Sequence, residues 1–238
     1  MDQHEKATLL RRLHYEPEIL VLPNAWDVAS AKALATVPGC RALATTSAGV
    51  ARSLGWEDGE AAPAAEMVEA NGRIARAVDV PVTGDLEAGY GDPVGTARAA
   101  WDAGVVGINF EDSPGDVLLP VDDQVAHIRA IRAAVPELVV NARVDVFLNG
   151  SGDLDEAVER ANAYLAAGAD CTYPILAPVE LIADLASRIE GPVNILLTPR
   201  TPSPAELQGF GVARATWGGG LATLAYAEAV RVAAAAFS

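Results

Sequence analysis

Short apolar segments alternate with longer amphipathic segments along the chain, and this alternation constrains the fold more than any other feature. Each short segment is rich in β-branched residues and is bounded by Gly, Pro or a polar loop, which is typical of buried β-strands. The longer segments have the periodicity of helices. The pattern predicts eight strands, at residues 18–23, 41–47, 80–87, 105–112, 138–145, 170–175, 192–197 and 212–217.

Eight strands, each followed by a helix and without a long linker, predict an α/β fold with one (β/α)8 TIM barrel over residues 1–238. The alternative is a doubly wound sheet. That fold usually has a Gly-rich turn after its first strand, and "LPNAWDVAS" (22–30) has none. A short N-terminal helical extension is expected to close the lower end of the barrel.

The last predicted helix, "LATLAYAEAVRVAAAAFS" (221–238), is apolar on nearly all sides. A helix of this kind is normally buried. Two arrangements are equally compatible with the pattern: a C-terminal helix swapped onto a partner subunit, or an Ala-rich helix packed on its own barrel.

Charge and hydropathy argue against several classes of partner. The net charge of −15 repels nucleic acid and anionic membranes. The chain has no apolar run of about 18 residues and no pattern of a secretory signal at its start. Cys40 and Cys171 are far apart and fit reduced core thiols. We therefore expect a cytoplasmic protein that binds neither nucleic acid nor membrane.

The ends of the predicted strands restrict the chemistry, because reactive groups of such barrels lie there. No predicted strand ends in Lys or His. This argues against Schiff-base and pyridoxal chemistry, histidine-ligated zinc, and Ser–His or Cys–His pairs. The side chains at or near these ends are instead mainly acids, amides and hydroxyls with one arginine: Asn24, Trp26, Asp27, Thr45, Thr46, Ser47, Asp85, Glu87, Glu111, Asp112, Arg143, Asp145, Asn194 and residues 217–220.

The acids of "TGDLEAGYGD" (83–92) indicate a metal site. Asp85 and Glu87 are two residues apart on one predicted strand, so they should point in the same direction, and Glu111 ends the neighbouring strand. Several carboxylates at one place need a compensating cation. Oxygen ligands without thiolate or imidazole suit Mg²⁺. The alternative for this stretch is a solvated acidic loop, and we interpret Asp92 as the cap of the next helix.

Three further segments are candidates for substrate binding. Arg143 lies in an apolar strand and needs an anionic partner, either Glu111 or a substrate carboxylate. "TTSAG" (45–49) offers hydroxyls and amides to an anionic oxygen. "WGGG" (217–220) is compatible with a phosphate cradle or with a simple tight turn.

With these residues in hand, the chain resembles the isocitrate lyase/phosphoenolpyruvate mutase superfamily, and most of all its small bacterial mutase-like branch. The matching motifs cover nearly the whole chain in family order: "LPNAWDVASAKAL", "ATTSAGVARSLGWEDGE", "VPVTGDLEAGYGD", "GVVGINFEDS", "NARVDVFL" and "AAGAD". The resemblance implies a (β/α)8 barrel, Mg²⁺ as cofactor, and a small 2-oxo acid or its enolate as ligand. It also implies a homodimer, or a homotetramer built from dimers that swap their last helices.

The resemblance assigns roles to individual residues. Asp85 would hold Mg²⁺ directly or through water, with Glu87 and Glu111 completing the set of metal ligands. Arg143 would stabilise negative charge on the substrate, and Asp58 matches the mobile acid of the gating region. The predicted catalytic residues are thus Asp58, Glu111 and Arg143. The predicted substrate contacts are Thr46, Ser47, Ala48, Asp85, Arg143 and Asn194.

The chain also departs from the family pattern. The lyases of the family carry a Lys-Lys-Cys-Gly-His loop after the fourth strand, whereas "EDSPGDVLLPVDDQ" (111–124) has no Cys, Lys or His. The longer loop of the mutases and phosphonopyruvate hydrolases, with its Lys and its Asn or Thr, is missing too. Pro174 stands where some members have a His.

The acidic metal edge, Arg143 and the missing phospho-specific loop favour a Mg²⁺-dependent carbon–carbon lyase that acts on a small 2-oxo acid, by decarboxylation or retro-aldol cleavage through an enolate. The missing Cys loop argues against cleavage of isocitrate or methylisocitrate by the family's route. Two other functions stay open. One is an enzyme of the phosphorus–carbon bond, either a phosphonopyruvate hydrolase or a phosphoenolpyruvate mutase. The other is a non-catalytic 2-oxo-acid binding protein.

Overall fold

Short parallel strands form the centre of the molecule in the computed structural model, which describes residues 1–237. Ser238, the last residue of the predicted terminal helix, lies outside this range. The nine strands within it are β1 Leu20–Leu22, β2 Asn24–Ala25, β3 Leu43–Thr45, β4 Val82–Asp85, β5 Gly107–Glu111, β6 Val139–Val144, β7 Cys171–Pro174, β8 Asn194–Leu196 and β9 Arg214–Thr216.

The strands close into a barrel. A six-stranded sheet runs in the order β2-β3-β4-β5-β6-β7, and a three-stranded sheet has the order β1-β9-β8. The two sheets meet at Pro23, where one predicted strand is divided into β1 and β2 because proline has no N–H to pair. They meet again at a parallel bridge between Thr172 and Val193. The predicted (β/α)8 barrel is therefore confirmed, with strands that are shorter than the sequence indicated.

Helices surround this barrel and link successive strands. Their bounds are α1 Gln3–Leu13, α2 Val28–Ala35, α3 Ser47–Leu54, α4 Ala64–Arg76, α5 Pro93–Asp102, α6 Val121–Ala134, α7 Val146–Asn149, α8 Leu154–Ala167, α9 Ile182–Arg188, α10 Pro204–Gly209 and α11 Gly220–Ala234. Short 3-10 helices cover Pro114–Asp116 and Val179–Leu181. Helix α5 begins as predicted, because the side chain of Asp92 accepts a hydrogen bond from the N–H of Gly95.

Helix α1 packs where the barrel strands begin. Its buried face, with Ala7, Leu10 and Leu13, belongs to a small apolar cluster with residues such as Val106 and Val139, which directly precede or open β5 and β6. The helix thus covers the end of the barrel opposite to the strand ends where reactive groups are expected.

Helix α11 projects away from the barrel after its first turns. Ala222 is its one buried residue among those described, and Leu224, Val230 and Val232 are 66%, 68% and 56% exposed. The ring of Tyr226 touches Trp26, with 6.1 Å between ring centroids. One of the two arrangements expected for this helix, packing on its own barrel, is therefore wrong for most of its length.

Among residues 1–237, no helix combines the length and the apolar character needed to span a membrane.

His14 is an ionisable group buried between α1 and the barrel. Its Nδ1 donates a hydrogen bond to the carbonyl of Leu10 (2.8 Å), and its ring is 2% exposed. Burial, assisted by the nearby charge of Arg214, lowers the pKa of His14 to about 4. The folded protein therefore keeps this imidazole neutral at pH values where the unfolded chain protonates it.

We expect His14 to weaken the fold as the pH falls from about 6.5 to about 4. In that range the His14 imidazole binds a proton in the unfolded chain but not in the folded protein. The free energy of unfolding therefore drops by about 3 kcal/mol. Urea unfolding at pH 7 and pH 4.5 measures this loss. The His14→Gln variant should lose about 2 kcal/mol less than the wild type between pH 7 and pH 4.5, whereas exposed His4→Gln should match the wild type. Equal losses in all three proteins would contradict the assignment to His14.

Candidate active site

A cavity of about 350 Å³ opens where the strands end. Its wall combines strand ends with the first residues of two helices, α3 and α11. Among the predicted site residues, six line this cavity: Thr46, Ser47, Ala48, Asp58, Asp85 and Arg143. The other lining residues are Asn24, Asn109, Tyr173, Ile175, Leu196, Leu197, Thr198, Pro199, Thr216, Trp217, Gly218, Gly219 and Gly220.

Asp85 is the last residue of β4 and presents one free carboxylate oxygen. Its Oδ2 accepts a hydrogen bond from the N–H of Ser47 (2.9 Å), and its own N–H donates to Oγ1 of Thr45 (2.8 Å). Its Oδ1 is buried and has no hydrogen-bond partner within the described chain. Burial raises the pKa of Asp85, and the charge of Arg143 opposes that effect. A buried oxygen of this kind needs a cation or a donor that the protein itself does not provide.

Glu87 does not lie on the same strand as Asp85, so the prediction that both residues belong to one strand is wrong. Strand β4 ends at Asp85, and Glu87 follows in a turn with a left-handed φ of 51°. Its Oε1 accepts a hydrogen bond from the hydroxyl of Tyr90 (2.6 Å), and its Oε2 accepts one from the N–H of Glu60 (2.6 Å). Glu60 in turn accepts from the N–H of Tyr90 (2.6 Å). Glu87 thereby ties the loop that carries Asp58 to the loop after β4.

Arg143 is held between two carboxylates. Its Nε and Nη2 donate to the two oxygens of Asp145 at 2.6 and 2.7 Å, and its Nη1 lies 2.5 Å from Oε2 of Glu111. Burial raises the pKa of Glu111, whereas the adjacent charge of Arg143 opposes this effect and favours the ionised carboxylate. A guanidinium has five N–H donors. The two acids use three of them, which leaves two donors on a side chain that lines the cavity.

A second layer of buried polar groups fixes Asp145. Its N–H donates to Oδ1 of Asp112 (2.9 Å), and it also accepts a hydrogen bond from the hydroxyl of Ser113. Asp112 itself accepts from the hydroxyl of Tyr164 (2.7 Å) and from Arg160 (3.2 Å), both on α8. The position of Arg143 is therefore determined by a connected set of hydrogen bonds that begins on α8.

The same Arg160 anchors the segment after β5 that departs from the family pattern. Its Nη1 donates to the carbonyl of Leu119 (2.9 Å), and the N–H of Leu119 donates to the carbonyl of Asp112 (2.8 Å). Residues 113–119 thus form a short loop that is attached at both ends.

Two helices begin at the cavity wall. Helix α3 starts at Ser47, and the side chain of its N-cap, Thr46, makes no capping hydrogen bond. Helix α11 starts at Gly220 after the "WGGG" turn. Asn24 braces the two regions, because its amide donates to the carbonyl of Thr45 (2.7 Å) and accepts from the N–H of Trp217 (2.8 Å). The first-turn N–H groups of these helices offer donors for an anionic oxygen.

The three acids predicted as metal ligands do not converge on one point. In residues 1–237, no group of three or more His, Cys, Asp or Glu side chains is arranged to hold a metal ion. Glu87 is engaged with Tyr90 and Glu60, and Glu111 with Arg143. The free Oδ1 of Asp85 remains, and Mg²⁺ commonly uses one or two carboxylates and several waters. The residues present therefore fit an ion held directly by Asp85 alone.

Asn194 is placed differently from its predicted role as a substrate contact. It is fully buried at the start of β8, and its amide donates to Oγ1 of Thr216 (3.2 Å). Thr216 lines the cavity, whereas Asn194 does not. Asn194 was predicted as a substrate contact because it lies in a barrel strand. It is two residues before the end of β8, however, and the cavity opens at the strand ends.

Asn109 and Tyr173 line the cavity although they were not among the predicted site residues. The signal for Asn109 was available in the sequence: Asn109 and Glu111 alternate with apolar residues in β5, so they share one face of the strand. Asn109 also accepts a hydrogen bond from Arg214 (3.3 Å), a fully buried arginine of β9.

Comparison with known proteins shows what this arrangement is similar to. The sequence profile of the phosphoenolpyruvate phosphomutase family matches residues 10–237. A protein of Mycobacterium tuberculosis (strain ATCC 25618 / H37Rv) is 37% identical over 209 residues, covering 87% of this chain and 80% of that protein. The 2-methylisocitrate lyase of Bacillus subtilis (strain 168) is 33% identical over 184 residues, covering 72% of this chain and 60% of the lyase. The structure of an oxaloacetate acetylhydrolase in complex with oxalate matches with a TM-score of 0.86 and 25% identity, over 97% of this chain and 86% of that one.

The Asp145→Asn substitution should lower the free energy of unfolding by about 3 kcal/mol, because it removes one charge of a buried pair and leaves Arg143 undercompensated. Asp155→Asn is the matched control. Its ion pair with Arg188 is largely exposed, with 81% of the Asp155 side chain accessible, and should contribute less than about 1 kcal/mol. Chemical denaturation of both variants measures the difference. Similar losses in the two variants would show that the Arg143 pair is not the constraint described here.

Proposed function

Because the chain belongs to the phosphoenolpyruvate phosphomutase family, within the isocitrate lyase/phosphoenolpyruvate mutase superfamily, we propose that it is a lyase that breaks a carbon–carbon bond of a small 2-oxo acid. The observation that carries this proposal is the pairing of two features in one small cavity. These are the free carboxylate oxygen of Asp85 and the unused N–H donors of Arg143.

The proposed reaction breaks the bond between the third and fourth carbons and leaves its electrons on an enolate, with negative charge on the 2-oxo oxygen. The fourth carbon leaves as CO2 from oxaloacetate or, with loss of its hydroxyl proton, as an aldehyde from a 4-hydroxy-2-oxo acid, and a proton added at the third carbon then gives pyruvate. Arg143 stabilises that charge, because its guanidinium is already fixed by Glu111 and Asp145 and does not have to reorganise. The start of α3 binds the substrate carboxylate through the N–H of Ala48 and the hydroxyls of Thr46 and Ser47, since the N–H of Ser47 already donates to Oδ2 of Asp85. Asp58 closes the cavity from the loop that Glu60 and Glu87 position.

Mg²⁺ is the proposed cofactor; Asp85 would hold it through its free Oδ1, and Glu87 and Glu111 would act on it through water. When bound, it would supply Lewis-acid polarisation of the 2-oxo group. The motivation is the buried Oδ1 of Asp85, which has no hydrogen-bond partner within the described chain.

The cavity favours carbon–carbon chemistry over a phosphorus–carbon bond. Arg143 is the one cationic side chain on its wall within the described chain. A phosphonate carries more negative charge than the carbon group of a 2-oxo acid, and beside the cation proposed at Asp85 the wall has no second cationic side chain to bind it. The names of the Bacillus subtilis lyase and of the oxaloacetate acetylhydrolase give further support.

We expect pyruvate to form when the protein is incubated with Mg²⁺ and either oxaloacetate or 4-hydroxy-2-oxo acids. The Asp85→Ala variant should lower kcat/KM about 100-fold or more, because it removes the proposed cation ligand. Coupled assay of pyruvate measures the rates. Asp79→Ala, an exposed acid before the start of β4, is the control and should keep the wild-type rate.

Each alternative function has its own result in this experiment. Turnover of phosphonopyruvate, followed by phosphorus NMR, would establish phosphorus–carbon chemistry instead. Mg²⁺-dependent binding of oxaloacetate by calorimetry without any product would establish a binding protein. Absence of turnover above the Asp85→Ala background with every 2-oxo acid would overturn the proposed lyase activity.

We also propose that α11 packs on a second copy of this chain, in a homodimer or homotetramer. The exposed apolar side chains of Leu224, Val230 and Val232 form a surface that a monomer would leave in water. Cys40 and Cys171 are both unpaired, in keeping with the proposed action in the reducing cytoplasm.

The assembly is testable by light scattering coupled to size-exclusion chromatography. We expect the wild type to run as a dimer or tetramer, and Val230→Asp to run as a smaller species because it places a charge in the proposed contact. Val37→Asp, at a half-exposed valine of another segment, should leave the mass unchanged. A monomeric wild type would contradict the proposal.

A further inference from the structure

A second and larger cavity lies beside the candidate active site, and we call it the side pocket. It has a volume of about 660 Å³ and is formed by residues 174–182 after β7 and residues 195–201 at β8 and beyond. Eight of its twelve lining residues are apolar, with Leu176, Ala177, Val179, Ile182 and Ile195 among them, and the other four are polar or charged. Mostly apolar clefts of this size are typical of sites for small organic molecules.

The side pocket and the active-site cavity are neighbours. Leu196 and Thr198 line both of them, so these two residues form the partition. Pro174 lines the side pocket, and the next residue along the chain, Ile175, lines the active-site cavity. A molecule with its reacting end in the smaller cavity has the side pocket as the adjacent space.

The loop after β7 exposes an apolar residue in an unfavourable conformation. Leu176 has a left-handed φ of 56° and is 48% exposed, and Val179 in the same loop is 40% exposed. A left-handed backbone is uncommon for residues other than glycine, and strained positions cluster at ligand sites. The turn closed by the N–H of Ala177, which donates to the carbonyl of Pro174 (3.3 Å), accounts for this φ, whereas the exposed apolar surface of Leu176 at the pocket has no such explanation.

The facing loop is internally fixed. Oγ1 of Thr201 donates to the carbonyl of Leu196 (2.9 Å), and it accepts a hydrogen bond from the N–H of Thr198 (3.0 Å). The N–H of Arg200 donates to Oγ1 of Thr198 (3.2 Å). This side of the pocket is therefore formed before any ligand binds, which lowers the entropic cost of binding.

The charges of the side pocket indicate a neutral occupant. Glu180 and Arg200 are its charged residues, and they have opposite signs. The pocket therefore offers no net charge to an ionic group. The apolar side chains between them favour a hydrocarbon chain.

We propose that the side pocket binds the apolar tail of the substrate, so that the substrate class is a 2-oxo acid with an alkyl chain of several carbons. This rests on the proposed function, because it assigns the 2-oxo acid end to the cavity of Asp85 and Arg143. The short loop at residues 113–119 lies on another part of the rim, and chain-length selection is assigned to the loops after β7 and β8.

Calorimetric titration of the full chain in Mg²⁺ with 2-oxooctanoate and 2-oxobutanoate tests the side pocket. These probes share one end and differ by four methylene groups. If about two of these four methylene groups are buried in the side pocket, 2-oxooctanoate should bind about tenfold tighter than 2-oxobutanoate, or more. Ala177→Trp, which fills the pocket, should remove this preference and leave the affinity for 2-oxobutanoate within about twofold.

Ala99→Trp is the matched control, since Ala99 is an exposed residue of α5 on another side of the barrel. It should keep the preference for the longer acid. Equal affinities for the two acids in the wild type, or a preference that survives Ala177→Trp, would overturn the side pocket as the site of the tail.

Turnover separates this inference from the proposed function. Cleavage of oxaloacetate without any chain-length preference in binding keeps the lyase and overturns the side pocket. The opposite result is tighter binding of 2-oxooctanoate that Ala177→Trp removes, without cleavage of oxaloacetate or of its 3-alkyl derivatives. This result would support the side pocket and overturn the lyase. Absence of both cleavage and preference overturns both.

Discussion

The shared guanidinium of Arg143 is the interaction on which the rest of the site depends. Acids gather at one end of the barrel, and buried carboxylates need a cation or hydrogen-bond donors to remain there. Arg143 serves two of them, Glu111 and Asp145, and still lines the cavity with donors to spare. Its position is determined by Asp112 and Arg160, so helix α8, far along the chain, takes part in shaping the site.

The acids at the mouth of the barrel are of two kinds: most are paired within the protein, and one has a carboxylate oxygen without a partner. Glu87 braces loops through Tyr90 and Glu60, whereas Glu111 and Asp145 neutralise Arg143. Asp85 is different because one of its oxygens has no partner. A protein gains stability by satisfying its buried polar groups, so a group left unsatisfied in an otherwise complete network is a candidate for ligand binding.

The loops around this centre account for the variety of reactions among proteins with this fold. A lyase, a phosphomutase and an acetylhydrolase all match the chain closely, so the barrel alone does not fix the reaction. In this chain the loop after β5 is short and tied to Arg160, whereas the loops after β7 and β8 enclose the larger space. We therefore expect the loops after β7 and β8 to select the substrate.

The sequence by itself determined the barrel, the cap at Asp92, and six residues that line the cavity, among them Asp85 and Arg143. The barrel and the cap follow from local rules, because strand alternation and capping depend on residues close in the chain, whereas Asp58 and the substrate contacts came from the resemblance to the family. Only the tertiary structure decided that Glu87 leaves the strand, that Glu111 pairs with Arg143, and that Asn109 rather than Asn194 reaches the cavity. The physical reason is that the end of a strand and the partner of a charge are set by contacts with residues distant in the sequence, where several acids compete for one arginine.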